Sequence, residues 1–174
     1  MNSTIAIETA TDDAVTLAAL KHILTECIED GASVGFLMPV SQQKLDAFWR
    51  QVFEQAALDH CTIWVARDTT TRTILGSIQL HYQLPENQPH RAEIAKLLVC
   101  PSARCRGVGA ALLKTAEIEA KKRGKLLLVL DTVTDSNAAR LYTRQGWIKS
   151  GDIPDYAFWP DGRPCSTTFF YRRL

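Results

Sequence analysis

The chain has 174 residues, 46% of them apolar and 22% charged. That is enough for one globular domain with a buried core, and it excludes a disordered, collagen-like or fibrous chain. Twenty basic residues against nineteen acidic ones leave a net charge of +1, which excludes a broad basic surface for nucleic acid or anionic lipid but not a small basic pocket.

Taken in chain order, residues 4–8 alternate apolar and polar side chains and predict a short strand. Thr11, Asp12 and Asp13 offer an N-cap for a helix running to about Cys27, with Leu17, Leu20, Ile23 and Leu24 on one stripe. A second helix is expected over residues 42–57, carrying Leu45, Phe48, Trp49, Val52 and Phe53. Between them, residues 31–39 form an apolar loop with two glycines, which must pack on the core or on a ligand. Residues 62–66 and 74–82 read as two strands of a hairpin, turning over the polar residues 67–72. A strand at 93–99 stops at Pro101. From Val108, the apolar positions Leu112, Leu113, Ala116 and Ala120 recur at helical spacing up to Gly124. The all-apolar run 126–130 suits a central strand covered on both faces. A helix over 137–145 and strands at 147–151 and 167–172 complete a mixed α/β sheet.

Five cysteines (Cys27, Cys61, Cys100, Cys105 and Cys165) form an odd set without a C-x-x-C pair or histidines at ligand spacing, so neither a disulfide framework nor a metal site is expected. The first ten residues lack the basic and apolar regions of a signal peptide. The run 126–130 is far short of a membrane span. A cytoplasmic protein with reduced thiols, and with neither nucleic acid nor membrane as partner, fits these features. Nothing divides the chain, so residues 1–174 are read as one domain, and a homodimer stays open.

The most informative stretch lies between the 93–99 strand and the helix that follows. Around Arg104, Cys105, Arg106, Gly107, Val108, Gly109 and Ala110, several backbone N–H groups can converge on one anion. Gly107 and Gly109 remove side chains from that approach, the helix dipole adds partial positive charge, and two arginines add local cations. Neither a G-x-x-x-x-G-K-[ST] loop nor a third glycine for G-x-G-x-x-G is present, since Leu112 occupies that place.

The run Arg104-Cys-Arg-Gly107-Val-Gly109 resembles the [QR]-x-x-G-x-[GA] pyrophosphate loop of the GNAT N-acetyltransferase superfamily. Leu97-Leu-Val99-Cys-Pro101 matches the L-x-V-x-P strand before it, and Leu141-Tyr142-Thr-Arg-Gln-Gly146-Trp147 matches L-Y-x-x-x-G-[FW] downstream. Segments at 31–36, 91–93, 130–132, 153–156 and 160–162 look like tabtoxin-resistance acetyltransferases, which act on a toxic amino-acid-like β-lactam.

The resemblance implies a sheet of about seven strands flanked by about four helices, and transfer of an acetyl group from acetyl-CoA to a primary amine of a small molecule. It implies that backbone groups of Leu98 and Val99 pair with the pantetheine arm and that the amides of residues 105–110 hold the pyrophosphate. The family often has Asn seven residues before the helix tyrosine; Asp135 stands there, and Asn137 is the substitute expected to contact the coenzyme. Tyr142 takes the family role of general acid toward the coenzyme sulfur.

A free alkyl amine has a pKa near ~10.4, so roughly one molecule in a thousand is unprotonated at neutral pH and a base is required. Glu93 and Asp131 are the candidates, Glu93 being placed on the same side of its strand as Leu97 and Val99, and Asp131 at the end of the leucine-rich strand. Apolar neighbours raise a carboxylate's pKa toward useful basicity. Ser33, Phe36, Asp131 and Tyr156 are the expected acceptor-side residues, on the 31–39 loop and the 153–162 segment. A protein or peptide N-acetyltransferase and a non-catalytic acyl-CoA-binding module are the competing readings.

Overall fold

The computed structural model describes residues 5–174, so Thr4, placed in the first strand by its alternation, lies outside the described residues. The elements are β1 (Ile5–Thr9), α1 (Ala14–Glu29), α2 (Gln42–Ala57), β2 (Cys61–Asp68), β3 (Ile74–His81), β4 (Arg91–Val99), a 3-10 turn (Pro101–Ala103), α3 (Val108–Lys122), β5 (Leu127–Val133), α4 (Asn137–Arg144), β6 (Ile148–Phe158) and β7 (Pro164–Arg173). They form one seven-stranded sheet in the order β1-β2-β3-β4-β5-β7-β6. The β4–β5 pair is parallel and every other pair is antiparallel.

Helix starts follow their caps. Asp13 accepts from the Thr16 amide at 2.8 Å, Ser41 from Lys44 at 3.2 Å, and Ser136 from Ala139 at 3.1 Å. Each side-chain oxygen satisfies a donor that the first helical turn leaves unpaired. Helix α3 has no such cap: Gly107 precedes it with φ 82° and offers no side chain.

Helices α1 and α2 bury Leu20, Ile23, Leu24, Leu45 and Trp49 on one face of the sheet, and α3 buries Leu112, Leu113, Ala116 and Ala120 on the other. Among the described residues no helix is long and apolar enough to cross a membrane.

Strand β4 carries the irregularity that shapes everything beside it. Its ladder with β3 runs Gly76↔Val99 and Ser77↔Leu98, then resumes at Gln79↔Ala95, so Lys96 and Leu97 lie opposite the single residue Ile78. Lys96 takes φ 48°, a conformation uncommon outside glycine. The extra residue reverses the in–out alternation. Glu93 therefore shares a face with Ala95 and Leu98, opposite to Val99, which corrects the expectation that Glu93 and Val99 point the same way.

Strand β5 pairs with β4 only at Arg91↔Leu127, Ala92↔Leu128 and Glu93↔Val129, yet pairs with β7 as far as Val133↔Thr167. Asp131 thus lies within β5, opposite Phe169, rather than at its end. Nor is β5 covered on both faces: Leu128 and Leu130 are buried, while Leu127 and Val129 keep partial exposure and Leu126, outside the strand, is 63% exposed. The 153–162 segment, expected as a loop, is the outer half of β6 and the turn into β7. The β6–β7 register breaks between Lys149 and Gly151 and again between Ile153 and Ala157, with Asp155 at φ 52°.

Gly76 marks the tightest contact between β3, β4 and α3. A Cβ there would lie 2.6 Å from the Leu98 carbonyl oxygen and 3.2 Å from Val108 Cγ1. Backbone cannot yield as a flexible side chain does, so Gly76→Ala is expected to cost about 1–3 kcal/mol, read as a lower midpoint in chemical denaturation.

Candidate active site

Beyond Glu93 and Val129, β4 and β5 separate without a strand between them. The β5-facing edge of β4 and the β4-facing edge of β5 therefore have no ladder partner there among the described residues. This gap runs along β4 toward the glycine loop that follows it.

In that loop Cys105 and Gly107 both adopt left-handed conformations, with φ 60° and 82°. None of the amides from residue 105 to residue 110 meets an acceptor within the described protein; the first helical bond is from Ala111 to the Gly107 carbonyl. Free donors at a helix start, with the dipole behind them, form an anion cradle. A Cβ on Gly107 would meet nothing within 4 Å, whereas one on Gly109 would lie 3.0 Å from Leu141 Cδ2. Gly107 thus serves backbone conformation, and Gly109 close packing against α4.

The two arginines are already occupied. Arg104 Nη1 donates to Asp30 Oδ2 at the end of α1, and Arg106 Nη2 lies 3.4 Å from Asp68 Oδ2 on β2. They brace the loop from both sides and keep positive charge beside it, while Cys105 stands exposed between them. Behind the loop, the Cys100 thiol donates to Glu26 Oε2 at 2.8 Å and is pushed up to about 11, by burial first and that carboxylate second. It is an inert packing thiol.

Tyr142, on α4, is 4% exposed and packs 5.9 Å from the rings of both Trp147 and Phe170. Its phenol makes no hydrogen bond among the described residues. Burial, helped by the Asp131 charge, pushes its pKa well above that of a free phenol, so it stays protonated throughout the neutral range. Asp131 belongs to the other face of β5. It keeps solvent access, yet surrounding protein raises its carboxyl above the ordinary aspartate value; Lys96 opposes the shift and Glu93 reinforces it. Glu93 accepts from Arg91 Nη1 at 2.6 Å and is 45% exposed.

The loop between α1 and α2 closes over this second face. Ser33 donates its hydroxyl to the Phe158 carbonyl at 2.7 Å, and the Met38 amide donates to the Pro160 carbonyl at 2.8 Å. Ser33 is thus a staple between loop and hairpin. Phe36 packs edge-on to Phe48 at 5.5 Å, and Tyr156 edge-on to Phe169, the pairing partner of Asp131, also at 5.5 Å. Asn137 accepts from Arg140 Nη2 at 2.5 Å, while the Asp135 carbonyl accepts from Arg140 Nη1 at 3.0 Å, so one guanidinium orders the start of α4.

The model of the acetyltransferase (GNAT) family matches residues 17–147. The chain belongs to that family. As a member it takes acetyl-CoA as acetyl donor, and the cradle and the open strand gap fit a ligand with a diphosphate and an extended amide arm. The fold is shared with ribosomal-protein-alanine N-acetyltransferase from Brucella melitensis, at 23% identity and TM-score 0.80, covering 97% of this chain and 99% of that one. It is shared with an N-acetyltransferase from Staphylococcus aureus Mu50, at 21% identity and TM-score 0.81, covering 98% and 99%. Likewise yncA of Salmonella typhimurium, solved with its cofactor acetyl-CoA, is 20% identical with TM-score 0.81, covering 99% and 95%.

Two residues at this site had no role in the sequence reading. His81 pairs with Glu93 across β3 and β4, and its ring nitrogen lies 2.9 Å from Gln79 Oε1. Burial lowers its pKa, with Glu93 opposing and Lys96 adding to the effect, so it is neutral at neutral pH. Lys96 projects to the same face from the bulge. Only its being the one charge between Ile94 and Val99 hinted at it, because strict alternation gave no sign of a bulge.

Gly107→Ala meets no atom, so its effect isolates backbone strain. A left-handed alanine costs about 1–2 kcal/mol, and relaxing it turns the cradle amides away. Coenzyme A binding by calorimetry is expected to weaken by roughly five- to thirtyfold.

Proposed function

We propose that this enzyme acetylates the primary amine of a small, amino-acid-like molecule, a toxin or antibiotic of that kind included, by direct attack while both substrates are bound. The observation that carries the proposal is the pair Asp131 and Tyr142. One is a carboxyl raised toward basicity, the other a buried phenol held protonated, and they are electrostatically coupled from opposite faces of β5.

Acetyl-CoA, when bound, supplies the thioester whose carbonyl carbon the amine attacks. The amides of Cys105, Arg106, Gly107, Val108, Gly109 and Ala110 hold its diphosphate, with Arg104 and Arg106 adding charge. The β5-facing edge at Leu98 and Val99, which has no ladder partner among the described residues, receives the amide arm, with Asn137 near the coenzyme's path. Such positioning lowers the barrier by placing the reacting atoms in line.

Glu93, already engaged by Arg91, orients the incoming ammonium. The ammonium first gives one proton to Asp131, which passes it to water. Asp131 takes the second as the C–N bond forms, and Tyr142 gives one to the sulfur as the C–S bond breaks. The proton held on Asp131 restores Tyr142 through solvent, so one proton is released per turnover. Phe36 and Tyr156 wall the acceptor side, and Ser33 pins the loop that carries Phe36.

Similarity to a ribosomal-protein-alanine N-acetyltransferase favours a peptide amine as the second reading. The staples from Ser33 and Met38 to the hairpin support the smaller acceptor, because they draw a loop across that side. Five free cysteines, four of them buried, support a reducing, cytoplasmic setting.

Free-thiol release from acetyl-CoA, measured across a library of small amines and peptide N-termini, tests the proposal. Turnover is expected with small amines, and Tyr142→Phe should lower kcat by about a hundredfold or more while coenzyme binding persists. Coenzyme binding without turnover of any amine would make the chain an acyl-CoA-binding module. A preference for peptides would establish the second reading.

A further inference from the structure

Lys96 is hard to explain by stability alone. Lys96 is half-buried, with its ammonium 5.6 Å from the Phe48 ring centroid, and a Cβ at Gly35 would come within 3.7 Å of Nζ. Gly35, at φ 92°, lies against the nitrogen. Among the described residues Lys96 has neither a hydrogen bond nor an ion pair, although twelve ion pairs are formed elsewhere. A half-buried cation that gains neither a hydrogen bond nor an ion pair loses hydration without full compensation. Lys96 also sits at φ 48°, an unfavourable conformation for a side chain with a Cβ. Two costs at one residue point to a ligand that offsets them.

Its surroundings indicate which ligand. Lys96 interacts electrostatically with Asp131 and with His81, the cross-strand partner of Glu93. Phe48 is the ring on which Phe36 packs, so the nitrogen faces the acceptor side and not the coenzyme cradle. The unpaired cation Lys96 and two carboxylates, of which Glu93 also accepts from Arg91, therefore lie around the same opening, a charge pattern complementary to a zwitterion.

We propose that Lys96 receives the carboxylate of the acceptor while Asp131 and Glu93 receive its ammonium, making the enzyme selective for amines that carry a carboxylate. This rests on the small-acceptor reading above and adds the group that distinguishes an amino acid from a simple amine. The bulge is then a specificity device, since the lysine reaches the pocket only because β4 holds one residue more than its partner strand.

Matched pairs of amines provide the test: L-lysine against cadaverine, and L-2,4-diaminobutyrate against 1,3-diaminopropane. Each pair differs only by the carboxylate. Binding by calorimetry and kcat/KM by thiol release are measured on the full chain and on Lys96→Gln and Lys96→Arg, with thermal melting to verify folding. The wild type is expected to prefer the carboxylate member by roughly tenfold or more, the usual size of a charge-assisted contact. Lys96→Gln should bring the ratio close to one, chiefly through KM, and Lys96→Arg should restore part of it. Equal binding of both members, no binding of either, or a preference that survives Lys96→Gln would overturn the proposal. A carboxylate preference in binding, lost in Lys96→Gln but unaccompanied by thiol release, would uphold the site and refute the small-amine acceptor reading.

Discussion

Parallel strands usually continue their ladder as far as both remain extended, because an unpaired edge leaves backbone donors and acceptors unsatisfied. Here β4 and β5 share three residue pairs and then part. The bulge at Lys96 changes the course of β4, while β7 keeps β5 in its own line as far as Val133. The opening is therefore built from a mismatch between two ladders on either side of it, one bulged and one regular. Glu93, Lys96 and Asp131 border it on the face of α2, and Tyr142 lies on the face of α4. A slot lined by backbone edges suits a ligand made of amides, and its two faces separate the proposed base from the proposed acid.

Electrostatics at the glycine loop are distributed differently from what two arginines in sequence suggest. Both guanidinium groups are spent on carboxylates, and they tie the loop to the end of α1 and to β2. The donors left over are backbone amides, which carry no formal charge and no conformational entropy to lose. A near-neutral chain can thus present a strong anion site, and the net charge of +1 says little about it. Pre-organised dipoles need no reorganisation when the ligand arrives.

Much of this was legible in residue order. The helix at 42–57 was readable to the residue, because Ser41 caps it and its apolar stripe is regular. The strand-to-helix loop before α3 was readable because Gly107 and Gly109 stand between an apolar strand ending at Pro101 and a helical stripe from Val108. The place of Tyr142 on α4 followed from the helix expected over 137–145 and ended by Gly146. What could not be read depended on pairing between distant segments. A bulge is a relation between two strands, so the reversal at Lys96 and the resulting face of Glu93 had no local signature. The same holds for the extension of β6: Pro154 and the polar residues around it read as loop, whereas pairing with β7 draws them into the sheet. Ser33 is another case, since nothing near it in the chain announces a bond to Phe158.

The irregular outer half of β6 has a consequence for the chain's behaviour at high concentration. β6 is the last strand of the sheet, and an eleven-residue edge left straight is a template on which other molecules can add strands. Here Pro154 withholds a donor, Asp155 turns the backbone at φ 52°, and Asp152 and Lys149 pair at 2.6 Å along the same strand. A neighbouring extended chain cannot remain in register past that point, so the hairpin to which Ser33 and Met38 are bonded also protects the sheet from edge-to-edge aggregation.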